Sequence, residues 1–236
     1  MKPRLNLLRL KNCPILQQLR LEEALLRADE NNWCILNEGS TPAIVMGISG
    51  KPELLINEHK FKQTPVPLIR RFSGGGTVFI DESTYFVTFI CNSAATDVPC
   101  YPDKVMQWSG KFYEEVFPNL KFRLRENDYV FGDKKFGGNA QYLSKTRWLH
   151  HSSLLWDFNP SNMDYLLLPP KMPTYREKRT HSDFLCRLRE HHPEKELLQE
   201  KIVNALKQRF DVEEISSDVA NEGLLRPHRQ ATVLLD

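Results

Sequence analysis

No two cysteines of this chain stand in a C-x-x-C spacing. Cys13, Cys34, Cys91, Cys100 and Cys186 are odd in number and widely scattered, so neither a zinc site nor a disulfide framework is indicated. Free thiols fit a reducing compartment. Long apolar runs are also missing, so no segment reads as a membrane span. An excess of one charge is missing too: 32 Lys and Arg face 30 Asp and Glu, leaving +2, which does not suggest a dedicated nucleic-acid binder. There is no internal repeat and no low-complexity tract. The first 20 residues lack serine, and no acidic residue precedes Glu22, whereas Lys2, Arg4, Arg9, Lys11 and Arg20 do. That bias resembles an organelle transit peptide. A helix starting near Pro14 leaves little sequence to discard, so a cytosolic chain is the favoured reading, with mitochondrion or plastid as the alternative.

What is present suits a globular protein with a real core. The 236 residues are 41% apolar and 26% charged, ordinary values for one sizeable domain. Residues 15–28 have a helical apolar stripe through Ile15, Leu19 and Leu26, with Pro14 tolerable at the start. Trp33–Leu36 and Ala43–Met46 read as short strands. Thr84 to Cys91 is a fully apolar, β-branched and aromatic run, expected to be buried on both faces. Pro102 to Phe117 reads as a helix packed through Val105, Met106, Phe112 and Val116. Leu120–Leu124, Tyr129–Phe131 and Trp148–Trp156 read as strands, and Glu194–Phe210 as a second strong helix. Pro160, Pro169, Pro170 and Pro173 make 157–193 mostly loop, with one short helix near Met163–Leu168. The expected fold class is α+β, a mixed sheet flanked by helices. Residues 1–215 form a single domain in this reading, and 216–236 a tail without clear period, partly disordered.

Glycine is scarce, 11 in all, yet three are consecutive in Arg70-Arg71-Phe72-Ser73-Gly74-Gly75-Gly76-Thr77-Val78-Phe79-Ile80-Asp81. The run joins two β-prone segments. Without Cβ atoms a ligand can approach the backbone closely, free N–H groups can form an anion-binding concavity, and Arg71 adds a charge suited to phosphate or carboxylate. A flexible hairpin turn is the plain alternative. A second strand–glycine–strand segment, Arg125-Glu126-Asn127-Asp128-Tyr129-Val130-Phe131-Gly132-Asp133-Lys134-Lys135-Phe136-Gly137-Gly138-Asn139-Ala140-Gln141, and then His150-His151-Ser152-Ser153-Leu154-Leu155-Trp156, follow.

These three segments, in this order, resemble the lipoate–protein ligase A family within the biotin/lipoate ligases. The family shows R-R-x-S/T-G-G-G-x-V-x-x-D, K-x-x-G-x-A and H-H-x-[ST]-L-L. The resemblance covers roughly residues 15–210, and an ordered triple is far more specific than any one piece. It implies a central sheet flanked by helices and a two-step reaction. Lipoate attacks the α-phosphate of ATP, delivered with Mg2+, to give lipoyl-AMP and pyrophosphate. A lysine ε-amine of an acceptor lipoyl domain then attacks that anhydride. The implied acceptors are 2-oxoacid dehydrogenase E2 subunits and the glycine cleavage H protein, without nucleic acid or membrane.

The implied binding set is Arg71, Ser73, Gly74, Gly75, Gly76, Thr77, Val78 and Phe79, with Lys135, Gly138 and Ala140. Lys135 is the implied catalytic residue, bridging acyl carbonyl and phosphate. Counting back from Gly138 and Ala140 selects it over Lys134, and strand alternation lets only one of the pair face a pocket. Asp128 reads as an orienter of Lys135, a magnesium ligand or a turn cap. His150 and His151 face opposite ways on a strand and cannot chelate one ion as a simple pair. His151 is a pocket-lining orienter or a satisfied structural histidine. Arg176 lies in a basic stretch, 175–181, that closes over the adenylate or is simply a solvated loop. No protein-held metal is expected.

Full-length bacterial members carry a further small C-terminal domain, and too few residues follow the last strong helix here for its core. A separate accessory subunit, transfer only from preformed lipoyl-AMP, and activity by another route all stay open. So do two other classes. Related octanoyltransferases use a cysteine thioester, for which Cys186 is the one thiol to test, although its setting looks buried. A non-catalytic lipoyl-binding module is the third.

Overall fold

In the computed structural model, which describes residues 1–192 and 194–235, the alternation of apolar residues along each strand decides which helix covers which face. The strands are β1 (Arg4–Lys11), β2 (Trp33–Glu38), β3 (Ala43–Met46), β4 (Leu68–Arg70), β5 (Val78–Ile80), β6 (Thr84–Asn92), β7 (Phe122–Arg125), β8 (Asp128–Phe131), β9 (Lys134–Leu143), β10 (Arg147–Leu155), β11 (Asp211–Ile215) and β12 (Val233–Leu235). An eight-stranded sheet runs β11-β1-β2-β6-β10-β9-β8-β7, and a four-stranded sheet runs β12-β4-β3-β5. The pairs β11/β1, β1/β2 and β3/β4 are parallel, and the other ladders antiparallel. The fold is thus α+β with mixed sheets.

Strand β6 lies at the centre of the large sheet, and all but its last residue are buried. Tyr85, Val87, Phe89 and Cys91 point to one face, where Val105, Phe112, Tyr113 and Val116 of the Pro102–Val116 helix and Leu198, Ile202 and Leu206 of the Lys195–Arg209 helix cover them. Phe86, Thr88 and Ile90 alternate to the other face. There Ile90 packs with Leu21 and Leu25 of the Ile15–Ala28 helix, and Phe86 with Ile15, Leu19 and the small sheet's Val45, Ile69 and Ile80. A residue buried on both sides in this way must be apolar or fully hydrogen-bonded.

Two segments take their structure from partners distant in the chain. The basic N-terminus is strand β1: its alternating leucines, Leu5 and Leu7 against Leu8, are buried on opposite faces. The stretch 216–235, without clear period in the sequence, carries secondary structure. A short helix, Ser217–Asn221, and a 3-10 turn, Glu222–Leu225, lead to β12. Glu23 fastens this segment, accepting from the amides of Ala231 (3.0 Å to each oxygen) and Thr232 (2.9 Å). β12 then pairs with β4, directly before the glycine run. Asp236 lies outside the described residues. Among the described residues no helix is long and apolar enough to cross a membrane.

Candidate active site

Three elements converge on the face of β9 that carries Gly138 and Ala140. The first is the loop between β4 and β5. Gly74 N–H donates to Gln141 O at 2.9 Å, stitching the loop to β9. Gly75 has φ +119°, and a Cβ there would lie 2.6 Å from Arg71 Nη2 and 2.9 Å from Asn139 O. Only glycine fits both the dihedral and the space. Gly76 has nothing within 4 Å of a built Cβ, so it faces open space above the strand.

Arg71 lies beneath this loop. It is buried, and its guanidinium donates to Gly76 O (2.9 Å), Gly74 O (3.1 Å) and Val45 O (3.4 Å). Burial pushes it down to about 10, against the opposing pull of Glu22, so it stays charged at neutral pH. Its fork is spent on shaping the loop, leaving Nε without a partner. Ser73 Oγ and Thr77 Oγ1 are buried and unpartnered as well. Three unpaired polar atoms in one glycine loop fit a polar ligand, since such groups are seldom left unmet. Val78 and Phe79 alternate across β5: Val78 packs with Val45 and Ile80, and Phe79 stacks on Tyr165 with centroids 5.1 Å apart.

The second element is the start of β9. Register shifts between Tyr129 and Val130, a bulge that pairs Val130 with Lys135 and Tyr129 with Gly137. The extra residue re-aims the strand. Lys134 is exposed, while Lys135 folds back so that its Nζ lies 3.3 Å from where a Cβ would stand on Gly138. That ammonium meets Asp128 Oδ1 at 2.7 Å. Asp128 is buried, and its other oxygen accepts from Tyr175 Oη at 2.8 Å. With one contact on each oxygen, Asp128 holds both the Lys135 ammonium and the Tyr175 hydroxyl. Among the described residues no group of three His, Cys, Asp or Glu side chains could hold a metal.

Tyr175 belongs to the proline-rich stretch, which is not a solvated loop. It packs along β9, with Leu185 bridging to Lys135 and Cys186 N–H donating to Lys135 O at 2.9 Å. Arg176 is buried over the Phe184 ring, its Nη2 3.3 Å from His181 Nδ1. Burial lowers its affinity for the proton, partly offset by Asp128. Arg176 therefore braces this segment. Cys186 is buried with its thiol pushed up to about 11, chiefly by desolvation, which disfavours a thiolate.

The third element is β10, where Ala140 pairs with His151 and Gly138 with Ser153. His151 Nδ1 lies 3.0 and 3.1 Å from the two Glu22 oxygens. Glu22 was not singled out from the sequence, although a signal existed: it falls on the buried side of a helix, four residues after Gln18, which donates to it at 2.8 Å.

The strip of β9 from Gly138 to Gln141 spans about 10 Å at roughly 3.3 Å per residue. A cation stands at one end and a glycine-lined concavity at the other. That separation suits a ligand with a charged linkage between two larger parts.

Residues 14–211 match the family described as the lipoyl protein ligase A/B catalytic domain. The chain is 28% identical over 231 residues to the inactive lipoate–protein ligase 2 of Plasmodium falciparum, covering 72% of this chain and 60% of that one. It is 28% identical over 159 residues to lipoate–protein ligase A of Blochmanniella floridana, covering 64% of this chain and 45% of that one. It therefore spans less than two thirds of either relative. A crystal structure of lipoate–protein ligase A bound with ATP superposes with a TM-score of 0.78 at 16% identity, over 95% of this chain and 92% of that one, a likeness of fold.

Proposed function

Because the chain belongs to the lipoyl protein ligase A/B catalytic-domain family, we propose that it attaches lipoate to the lysine of an acceptor lipoyl domain, through lipoyl-AMP. The observation that carries this reading is the Lys135–Asp128–Tyr175 chain. A single ammonium, fixed at 2.7 Å on a buried carboxylate, sits over the bare backbone of Gly138 and opposite a glycine loop.

In this reading lipoate and ATP, with its Mg2+, are substrates. The lipoate carboxylate attacks the α-phosphorus, the bond to the bridging oxygen breaks, and pyrophosphate leaves. The acceptor ε-amine then attacks the acyl carbon, and AMP leaves with the electron pair of the C–O bond. Both steps gather negative charge between acyl carbonyl and phosphate. Lys135 Nζ is the cation for that charge, and fixed donors in a partly buried site need no reorganisation as it develops. The open edge of Gly75 and Gly76 lets the phosphate approach the backbone, while Arg71 keeps the loop in shape from below.

A non-catalytic lipoyl-binding role is the second reading, favoured by the name of the Plasmodium falciparum relative. The intact Lys135–Asp128 pair supports turnover. The test is transfer from synthetic lipoyl-AMP to an apo lipoyl domain. Lys135→Ala loses about a hundredfold or more in rate, roughly 3–4 kcal/mol as for one electrostatic contact to the transition state, and Lys134→Ala stays near wild type. Equal losses at both positions, or none at Lys135, would put the reacting centre elsewhere.

A further inference from the structure

A chain of buried polar groups runs across the inner face of β10, and the reaction just described does not use it. It begins at Asn37, whose Nδ2 donates to Gln18 Oε1 at 2.8 Å. Gln18 Nε2 donates to Glu22 Oε1, also at 2.8 Å, and Thr88 Oγ1 donates to the same oxygen at 2.7 Å. The Glu22 carboxylate, fully buried, takes His151 Nδ1 at 3.0 Å. A carboxylate only accepts, so an imidazole proton sits on Nδ1, and the relay below uses the tautomer whose Nε2 lone pair is free. Nε2 faces Ser153 Oγ at 3.4 Å, a long contact that would tighten with a reactant in place.

Position gives this chain its meaning. Ser153 stands across the ladder from Gly138, the residue over which Lys135 Nζ lies. Directly opposed residues have Cβ positions about 5 Å apart, so the Ser153 hydroxyl borders the space that the acyl carbonyl occupies under Lys135. Among the groups packed around His151, Glu22 is the acid. The Phe86 ring lies at 5.7 Å. Arg71 feels Glu22 as its counter-charge. His150, behind the strand, is pushed down to about 3 by burial and is uncharged.

We propose that Ser153, His151 and Glu22 form the relay that takes the proton released when the acceptor amine attacks the acyl-adenylate. This rests on the ligase reading above. The neutral amine nitrogen bonds to the acyl carbon, and the C–O bond to AMP breaks. The proton on the now positive nitrogen passes to Ser153 Oγ, while the Ser153 proton moves to His151 Nε2. The resulting imidazolium is held by the Glu22 carboxylate. Ser153 touches the reacting nitrogen and is the catalytic residue. His151 and Glu22 act through it and are positioning residues.

The test uses the whole chain, synthetic lipoyl-AMP and an apo lipoyl domain. Ser153→Ala lowers kcat on the order of a hundredfold, the usual size of a lost proton-transfer group. KM for the acceptor and the affinity for lipoyl-AMP stay unchanged. Ser153→Thr, which keeps the hydroxyl, recovers most of the rate. Nitrogen-15 imidazole spectra show His151 protonated on Nδ1 and bare on Nε2, and Ser153→Ala displaces the Nε2 resonance. An unchanged kcat in Ser153→Ala, a loss confined to donor affinity, or a proton on Nε2 overturns the relay while leaving the ligase reading intact. A wild-type protein inert toward lipoyl-AMP overturns both.

Discussion

His150 and His151 are consecutive in β10, and strand alternation turns them to opposite faces of the same sheet. His150 points into the aromatic core. Gln141 Nε2 lies 3.1 Å from its Nδ1, and Tyr129 Oη lies 2.9 Å from its Nε2. Tyr129 then donates to Ser109 Oγ at 2.7 Å, which donates to Met106 O at 2.8 Å. The chain ends on a backbone carbonyl, and every member is satisfied inside the protein. His151 belongs to a chain of similar make-up that ends differently, on a hydroxyl across the ladder from Gly138. The difference lies in where the last donor points. A network closed on itself is structural, and one that ends beside an unpaired cleft is available to a reactant.

Four substitutions test that contrast, one on binding, two on transfer chemistry and one on stability. The largest effect belongs to Gly75→Ala. The new Cβ meets Arg71 Nη2 and Asn139 O at a dihedral that L residues avoid, a cost of about 3 kcal/mol. Calorimetry with a non-reactive lipoyl-adenylate analogue then shows a large affinity loss, and an unchanged affinity would remove the loop from the site. Next is Asp128→Asn, which leaves Lys135 Nζ with a neutral partner. Losing one charge-assisted bond of about 1.5 kcal/mol slows transfer roughly tenfold, read in single-turnover kinetics. A rate equal to wild type would make the pair ornamental.

His150→Gln leaves transfer at neutral pH unaffected and changes stability against pH. Burial holds the folded imidazole down to about 3, whereas an unfolded one titrates near ~6.5. Between these values the unfolded chain binds more protons, so stability falls as pH drops from about 6.5 toward 3. The slope is at most about 1.4 kcal/mol per pH unit. Denaturant melts across that window flatten in His150→Gln, and an unchanged slope would mean that His150 titrates normally. Cys186→Ser is the smallest change. A buried thiol pushed up to about 11 carries no acyl group, so turnover persists and thiol alkylation is slow. An acyl group trapped on Cys186 would instead favour an octanoyltransferase.

Much of this was legible in the sequence, for identifiable reasons. The long helices and β6 carry strong periods, and the glycine run and Lys135 stand in ordered motifs. What escaped depended on partners far away in the chain. The leucines of β1 alternate cleanly, but the strands that pair with it, β2 and β11, lie well away in the chain. β12 has three residues and forms only because β4 offers an edge. Nothing local reveals that the Arg71 fork reaches three backbone carbonyls, of Val45, Gly74 and Gly76. Glu22 became a site residue only when β6 and β10 brought Thr88 and His151 onto it. Val78 and Phe79 sit in the motif, and their side chains join different apolar clusters on the two faces of β5.

In the reading proposed above, the face of β9 bearing Lys135, Gly138 and the glycine loop passes an acyl group from an adenylate to a lysine. Intact-mass measurement of an apo lipoyl domain tests it most directly. The purified chain is offered lipoyl-AMP in one reaction, ATP with lipoate in a second and octanoyl carrier protein in a third. One lipoyl group appears on the single acceptor lysine in the lipoyl-AMP reaction, and none when that lysine is changed to arginine. An acceptor modified only from the carrier protein, or not modified from lipoyl-AMP, would contradict it.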